Sequence, residues 1–278
     1  MNIFKIHFPQ GILTNYIVSI VYYEGYNAEH SIERLLPDGT LNIILELGDH
    51  PQHIYDNLDL SEKRKYTRSW ISGMQSEFIS ISSAQHTAMM VIQFKPNGAY
   101  PILRIPIYEL NNLVIDADLI FGEEIDFLRE EVMNANSVDE KILIAEKWLS
   151  GKLQITESIP EAVVQYAVEE TLMNPSLVNM KAIANKTGYS QQHFINIFKK
   201  YVGLSPKQHQ RIVRFNQLLK EIENTQRLDW ASLSVDSGYF DQAHFIKDFK
   251  KFSGFSPQKY LFEKGEFINY IPIGISKT

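Results

Sequence analysis

The chain has 278 residues, no cysteine and a formal net charge of −6, with 44% hydrophobic and 22% charged residues. That suffices for the core of one or two domains, and the lack of thiols excludes disulfides, thiolate metal sites and cysteine nucleophiles. No run of about 18 apolar residues could span a membrane, and MNIFKIHFPQ lacks the long apolar stretch of a signal peptide, so a soluble cytoplasmic protein is expected.

The first hundred residues read as β-structure. TNYIVSIVYYEG is β-branched and aromatic, and its tyrosines Tyr16, Tyr22, Tyr23 and Tyr26 suit a core and its rim. In LLPDGTLNIILELGD a turn at Asp38-Gly39 precedes Leu41, Ile43, Leu45 and Leu47, which alternate with Asn42, Ile44 and Glu46. Period two with one apolar set is the mark of a half-buried strand. RSWISGMQSEFISISS and TAMMVIQFKPNGAY repeat the style between Gly and Pro-Asn-Gly breaks, which predicts a sandwich or small barrel. Strands of a barrel alternate inward and outward, so Glu46, Trp70, Gln93 and Arg104 are candidates to line an effector pocket. His50-Pro-Gln-His53 invites a metal reading, but two histidines around a proline read better as a surface turn. His86 has no partner visible in sequence and is expected at the surface or partly packed.

Near Tyr108 the period changes. Phe121, Ile125 and Leu128 share one helical stripe, and Ile142, Ala145 and Leu149 another, with the stretch Asn134–Ser137 between them. These stripes serve either to pack on the chain's own barrel or to meet a second copy. Glu123-Glu124 and Glu130-Glu131 read as solvated faces. TESIPE is a short linker in which Ser158 and Glu161 have capping-box spacing and Pro160 is tolerated in the first turn.

Beyond it the chain reads all-helical and turns basic. Pro160 to Lys264 holds fourteen Lys and Arg against ten Asp and Glu, while the rest holds thirteen against twenty-three. Such asymmetry hints at nucleic acid. HFINIFKKYVGLSP (from His193) and HFIKDFKKFSGFSP (from His244) share nine of fourteen letters, fifty-one residues apart. Each copy follows one plan. A short helix (Met180 to Thr187, then about Trp230 to Ser237) ends before Gly188-Tyr189 or Gly238-Tyr239. Ser190 or Asp241 caps the next helix, and Gly-x-Ser-Pro at Ser205-Pro206 or Ser256-Pro257 starts another. Helix, glycine turn, helix is the helix-turn-helix arrangement, whose second helix enters the major groove. Phe194, Ile197, Phe198 and Tyr201 form the buried stripe of one copy, and Phe245, Phe249 and Phe252 that of the other.

The outward residues differ where the inward ones match, as expected if each copy reads its own bases. Gln191, Gln192, Ile195 and Asn196 in the first unit and Gln242, Ala243, Ile246 and Lys247 in the second are the candidates for base reading. Asn and Gln bond adenine and Lys donates to guanine, at about 1–3 kcal/mol of discrimination per good contact. Lys199, Lys200, Lys207, Arg211, Arg214, Lys250 and Lys251 are the candidates for phosphate contacts, which position without specifying. A helix from Pro206 to about Ile222 spans roughly 25 Å, which suits two helices reaching grooves about 34 Å apart.

Residues from about Ser158 to Phe262 resemble the DNA-binding domain of the AraC/XylS family of bacterial transcription regulators. AIANKTGYSQQHFINIFKKYVGLSP and ASLSVDSGYFDQAHFIKDFKKFSGFSP carry the likeness, above all Gly238-Tyr239, Asp241-Gln242, His244-Phe245, Phe249-Lys250, Gly254 and Ser256-Pro257. Where many members carry a larger or basic residue, the first unit has Gln192, Ile195 and Asn196. FKPNGAYP and ELNNLVIDADLIFGEEIDFLREE resemble the β-rich first domains of uncharacterised AraC-like regulators.

The implied architecture is α+β. Residues 1–153 form a cupin-like β-barrel or sandwich with a helical part at 109–153. Residues 158–264 form an all-α domain with helix-turn-helix units at about 179–201 and 229–252. The resemblance implies a DNA-binding transcription regulator acting on double-stranded promoter DNA, with a small-molecule effector, RNA polymerase and a second copy as further partners. Whether transcription rises or falls is left open. So is whether the first domain senses a ligand, only dimerises, or is a cupin-like enzyme beside an accessory DNA domain. No phosphate loop, Gly-x-Ser-x-Gly elbow or His-Glu-x-x-His motif appears, so neither a catalytic residue nor a cofactor or metal is expected. Residues 265–278 are either a strand on another domain or a loose end.

Overall fold

The computed structural model describes residues 2–273 except Asp49, Ala84, 156–157, 225–228, Phe240 and Glu266; of Gln85, His86, Ala231 and Asp236 only the backbone is described. The expectation for the His86 side chain therefore lies outside the described residues. The first domain runs β1 (Ile3–His7), β2 (Ile17–Asn27), β3 (Ile32–Leu35), β4 (Asn42–Glu46), β5 (Gln52–Tyr55), β6 (Glu62–Tyr66), β7 (Ser69–Ser72), β8 (Ile79–Ser82), β9 (Gln85–Phe94), α1 (Tyr100–Leu103), β10 (Val114–Asp116), α2 (Asp118–Phe121), α3 (Glu124–Asn134) and α4 (Val138–Lys152). The second runs α5 (Ile159–Met173), α6 (Met180–Lys186), α7 (Gln191–Val202), α8 (Pro206–Asn224), α9 (Trp230–Asp236), α10 (Gln242–Ser253) and α11 (Pro257–Glu263), and the chain then forms β11 (Tyr270–Ile273).

Two antiparallel sheets face each other, one ordered β1-β2-β9-β4-β7-β10 and the other β11-β3-β8-β5-β6. Successive residues of a strand point to opposite faces, and β4 shows what each face does. Ile43 and Leu45, level with Ile71, Met90 and Ile92 of its neighbours, turn to a large core shared with the helices. Ile44, level with Trp70 and flanked by Met89, turns to a smaller cluster with Tyr66 and Ile54 of the other sheet.

The helical stripes resolve the alternative left by the sequence. Ile125, Leu128, Ile142, Ala145 and Leu149 are buried in the large core, so they pack on the chain's own barrel and offer no surface to a second copy. Two further corrections concern short elements. Val114–Asp116, inside the stretch expected to be helical, adds an edge strand to β7. His53 lies on β5 rather than in a turn, with its Nδ1 3.0 Å from Glu62 Oε2. The tail is no loose end over 270–273. There β11 pairs with β3, and residues 274–278 lie outside the described part.

The domains share a core. Leu36, Met74 and Ile271 belong to the cluster that holds Phe194, Phe198, Phe245 and Phe249 of the helical domain. Across the same junction Asn216 Nδ2 donates to the carbonyl of Pro37 at 2.8 Å. Among the described residues, no helix is long and apolar enough to cross a membrane.

Candidate nucleic-acid interface

Both two-helix units are built by local signals. After α6 the chain turns through Gly188 at φ +75°, and after α9 through Gly238 at φ +73°, a region that suits glycine. Gly238 has a second constraint, since a Cβ there would sit 2.7 Å from that of Ser176. The following helices are capped as their spacing predicts. Ser190 accepts from His193 N at 3.3 Å, and Asp241 accepts from His244 N at 2.7 Å. Both α7 and α10 end at a left-handed glycine, Gly203 and Gly254. Phe194, Ile197, Phe198 and Tyr201 are buried, as are Phe245, Phe249 and Phe252. Each buried ring contributes roughly 1.5–3 kcal/mol, which fixes the face each helix turns outward.

That outward face carries most of the residues proposed for base reading. Gln191, Gln192 and Asn196 are exposed on α7, as are Gln242, Ala243 and Lys247 on α10. Gln192 Nε2 donates to Asn196 Oδ1 at 3.0 Å, so the two amides present one joint surface. Ile195 is half-buried, and Ile246 packs against the core of its unit, so it has less side chain to offer. Between the units α8 forms a rod of 19 residues, about 28 Å long.

The phosphate candidates divide. Lys199, Lys207, Lys250 and Lys251 are exposed and face solvent. Lys200, Arg211 and Arg214 are each engaged within the protein. The Lys200 ammonium lies 4.8 Å from the centre of the Tyr100 ring of the first domain, and its hydrogen bond to Tyr100 raises its pKa. Arg211 Nε donates to Asp248 Oδ2 at 2.9 Å and its Nη2 to Oδ1. Arg214 Nη1 donates to the Gly238 carbonyl at 2.7 Å, with its guanidinium 4.9 Å over the Tyr239 ring. These groups hold helices and domains together. Sequence spacing places a cation on a helix face but does not show which partner the fold brings to it.

Of the four pocket candidates, three share one side of a sheet. Glu46, Trp70 and Gln93 all turn to the space between the sheets, level with Ile44 or two residues from it. Glu46 is buried and accepts from Gly48 N at 3.1 Å. Gln93 Nε2 donates to Asp38 Oδ2 at 3.1 Å, and burial raises the Asp38 carboxyl above the usual range. Glu33 is raised by burial as well, an effect that the hydrogen bond from His30 at 3.1 Å partly offsets. Arg104 does not join them. It is exposed on the helical side, beside a cleft of ≈ 290 Å³ bordered by Phe121, Glu124 and Lys152. Among the described residues no group of three or more His, Asp or Glu could hold a metal ion.

The sequence reading missed the residues at the domain junction. Arg34 of β3 lies between the rings of Phe78 and Phe255, at 4.5 and 4.4 Å. The Tyr100 ring packs at a tilt against that of Tyr201, 4.5 Å between centres. Neither stood in a pattern that could have marked it. Asp248 could have been found, since it occupies the place of Ile197 on an otherwise apolar stripe.

Comparison with known proteins agrees with this geometry. A family model described as a helix-turn-helix domain matches residues 183–262. A model described as a domain of unknown function (DUF6597) matches residues 5–116, which lie in the first domain. An uncharacterised HTH-type transcriptional regulator of Haemophilus influenzae is 25% identical over 116 residues, 38% of this chain and 39% of that protein. The probable transcription factor PqrA of Proteus vulgaris is 29% identical over 108 residues, 38% of this chain and 85% of that protein. Among solved structures, ToxT from Vibrio cholerae aligns over 87% of this chain and 97% of its own at 13% identity and a TM-score of 0.42. The matched relatives are transcription regulators, and the stretch that each shares with this chain covers 38% of it.

Proposed function

We propose that the chain is a sequence-specific, DNA-binding transcription regulator of promoter DNA, with α7 and α10 entering successive major grooves on one side of the duplex. One observation carries the reading. A scaffold is repeated with its buried stripe nearly kept and its exposed face changed, and the copies are joined by the 19 residues of α8. Gln191, Gln192, Ile195 and Asn196 would face one segment, and Gln242, Ala243 and Lys247 the other, with Lys199, Lys207, Lys250 and Lys251 on the phosphates. Such a regulator would act beside RNA polymerase in the bacterial cytoplasm. Footprinting the full chain on its upstream DNA at two salt concentrations tests this. Protection of two segments about one turn apart, weakening steeply with salt, is expected. Uniform or absent protection at low salt would contradict it.

Control by a small molecule is the finer reading. Its support is the polar and aromatic lining between the sheets, where Glu46, Trp70 and Gln93 stand in place of aliphatic side chains. A ligand that binds only the folded state raises the melting temperature, so a thermal-shift screen should find compounds whose effect is lost in Glu46→Gln. A screen without any shift would favour a first domain that only assembles the regulator, as a homodimer built on a surface other than the α3 and α4 stripes.

A further inference from the structure

The buried stripes of the two reading units differ in character at one position, apart from the ring-for-ring change of Tyr201 to Phe252. Phe194, Ile197, Phe198 and Tyr201 of α7 correspond to Phe245, Asp248, Phe249 and Phe252 of α10. An aspartate thus stands where its twin has an isoleucine, and it is 1% exposed. A lone carboxylate would be costly there, and Arg211 of α8 supplies the partner. Nε donates to Oδ2 at 2.9 Å and Nη2 to Oδ1, a fork on a fork. His244, one turn before Asp248 on α10, has its Nε2 3.8 Å from Oδ1.

Stability alone does not explain such a pair, because well-packed apolar residues of similar volume are commonly as stabilising or more so. Direction is what the pair adds. Two parallel N–H···O bonds admit one orientation of the groups, and here they tie α10 to α8. The neighbouring contacts show what that orientation controls. His209, two residues before Arg211, packs against Phe198 of α7 at a ring distance of 5.7 Å. Arg214, three residues after it, holds the Gly238 turn that leads into α10. Within about two turns α8 therefore grips both units, the first through an apolar contact and the second through polar ones.

We propose that the Arg211–Asp248 fork sets the angle of α10 on α8, and with it the spacing and phase of the two DNA segments that the chain reads. The inference rests on the DNA-reading function above. Arg211 is then a positioning residue, and Asp248 its counterpart in place of the Ile197 contact. Two reading heads gain from joint binding only when their geometry lets both engage at once. A head held at one angle should therefore penalise a shifted segment, and a head on an apolar pivot should tolerate it.

The test uses the full chain and duplexes in which the two protected segments are moved apart or together by one and two base pairs. Wild type should lose affinity by roughly tenfold or more at the first step. The double variant Arg211→Met with Asp248→Ile should keep its melting temperature and bind the best spacing within about threefold of wild type, but lose no more than about threefold on the same step. A folded double variant with the wild-type spacing profile would overturn the proposal, since a merely structural pair would leave that profile unmoved. Should the double variant fail to fold, Arg211→Lys decides. Lysine keeps the charge without the fork, so its profile should broaden, and one as narrow as wild type's would overturn the proposal. If wild type binds no sequence specifically at any spacing, the DNA-reading function itself fails and the proposal falls with it.

Discussion

His209 gives the most direct test of how the helical domain is built. It is fully buried on α8 beside Phe198, and neither ring nitrogen has a hydrogen-bond partner among the described residues. Burial therefore disfavours the imidazolium and lowers the pKa from 6.5 to about 4. The unfolded chain binds this proton first, so stability is full above pH 6.5 and falls as the pH drops toward 4. At 1.36 kcal/mol per pH unit, the loss from this group is about 2.5 kcal/mol at pH 4.5. Glu33 and Asp38 also titrate with raised values, so the effect must be read as a difference between two proteins. His209→Leu has a similar volume and no proton to bind. Urea unfolding of both chains from pH 7.5 to 4.5 should give a gap that swings toward the variant by about 2.5 kcal/mol across the acid limb. A gap that stays constant over that range would refute the reasoning and imply that a proton is accommodated beside Phe198.

Lys247→Ala should change base preference in the segment read by α10 by about 1–3 kcal/mol while binding to random DNA holds. Selection from a randomised duplex pool would show it, and an equal loss on every sequence would move Lys247 to the phosphate set. Lys207→Ala and Lys250→Ala should each weaken binding to all sequences alike and lower the slope of log K against log salt by about 0.9. An unchanged slope would remove that residue from the interface. Gly238→Ala combines a φ of +73° with a Cβ 2.7 Å from that of Ser176, and should destabilise the protein by about 1–3 kcal/mol in thermal melts. A melting temperature within about a degree of wild type would show that the Ser176 loop gives way.

What could be read from the sequence was local. The caps at Ser158, Ser190, Asp241 and Ser256 depend on residues three apart, and each is where its spacing puts it. The repeated stripe was legible because helical period and duplication state the same pattern twice. The internal partners of Arg211, Arg214 and Lys200 are not legible for the opposite reason. Each is exposed in an isolated helix and acquires its partner (Asp248, Gly238 or Tyr100) only when distant segments meet. Strand parity was the other obstacle. Glu46, Trp70 and Gln93 share a face because β4 pairs with both β7 and β9 in one register. No pattern within a single strand reveals that register. Arg104 lies outside it because it follows α1 at φ +61°, where the chain has already left the sheet.

The register also shows how β3 joins the two domains. Glu33 and Arg34 are neighbours on β3, so they point to opposite faces. Glu33 turns inward with His30 and influences Tyr23 and Tyr270, while Arg34 turns outward between Phe78 and Phe255. Phe255 follows the glycine that ends α10, and a Cβ on Gly254 would run into the Arg34 guanidinium. A shift of β3 that repositions Glu33 must therefore move Arg34, because the sheet couples them through one peptide unit. The first unit is held elsewhere, at Tyr100 and Ile107, where Tyr201 and Gly203 of its reading helix rest. β3 thus meets the second head, while the first rests on the segment after β9.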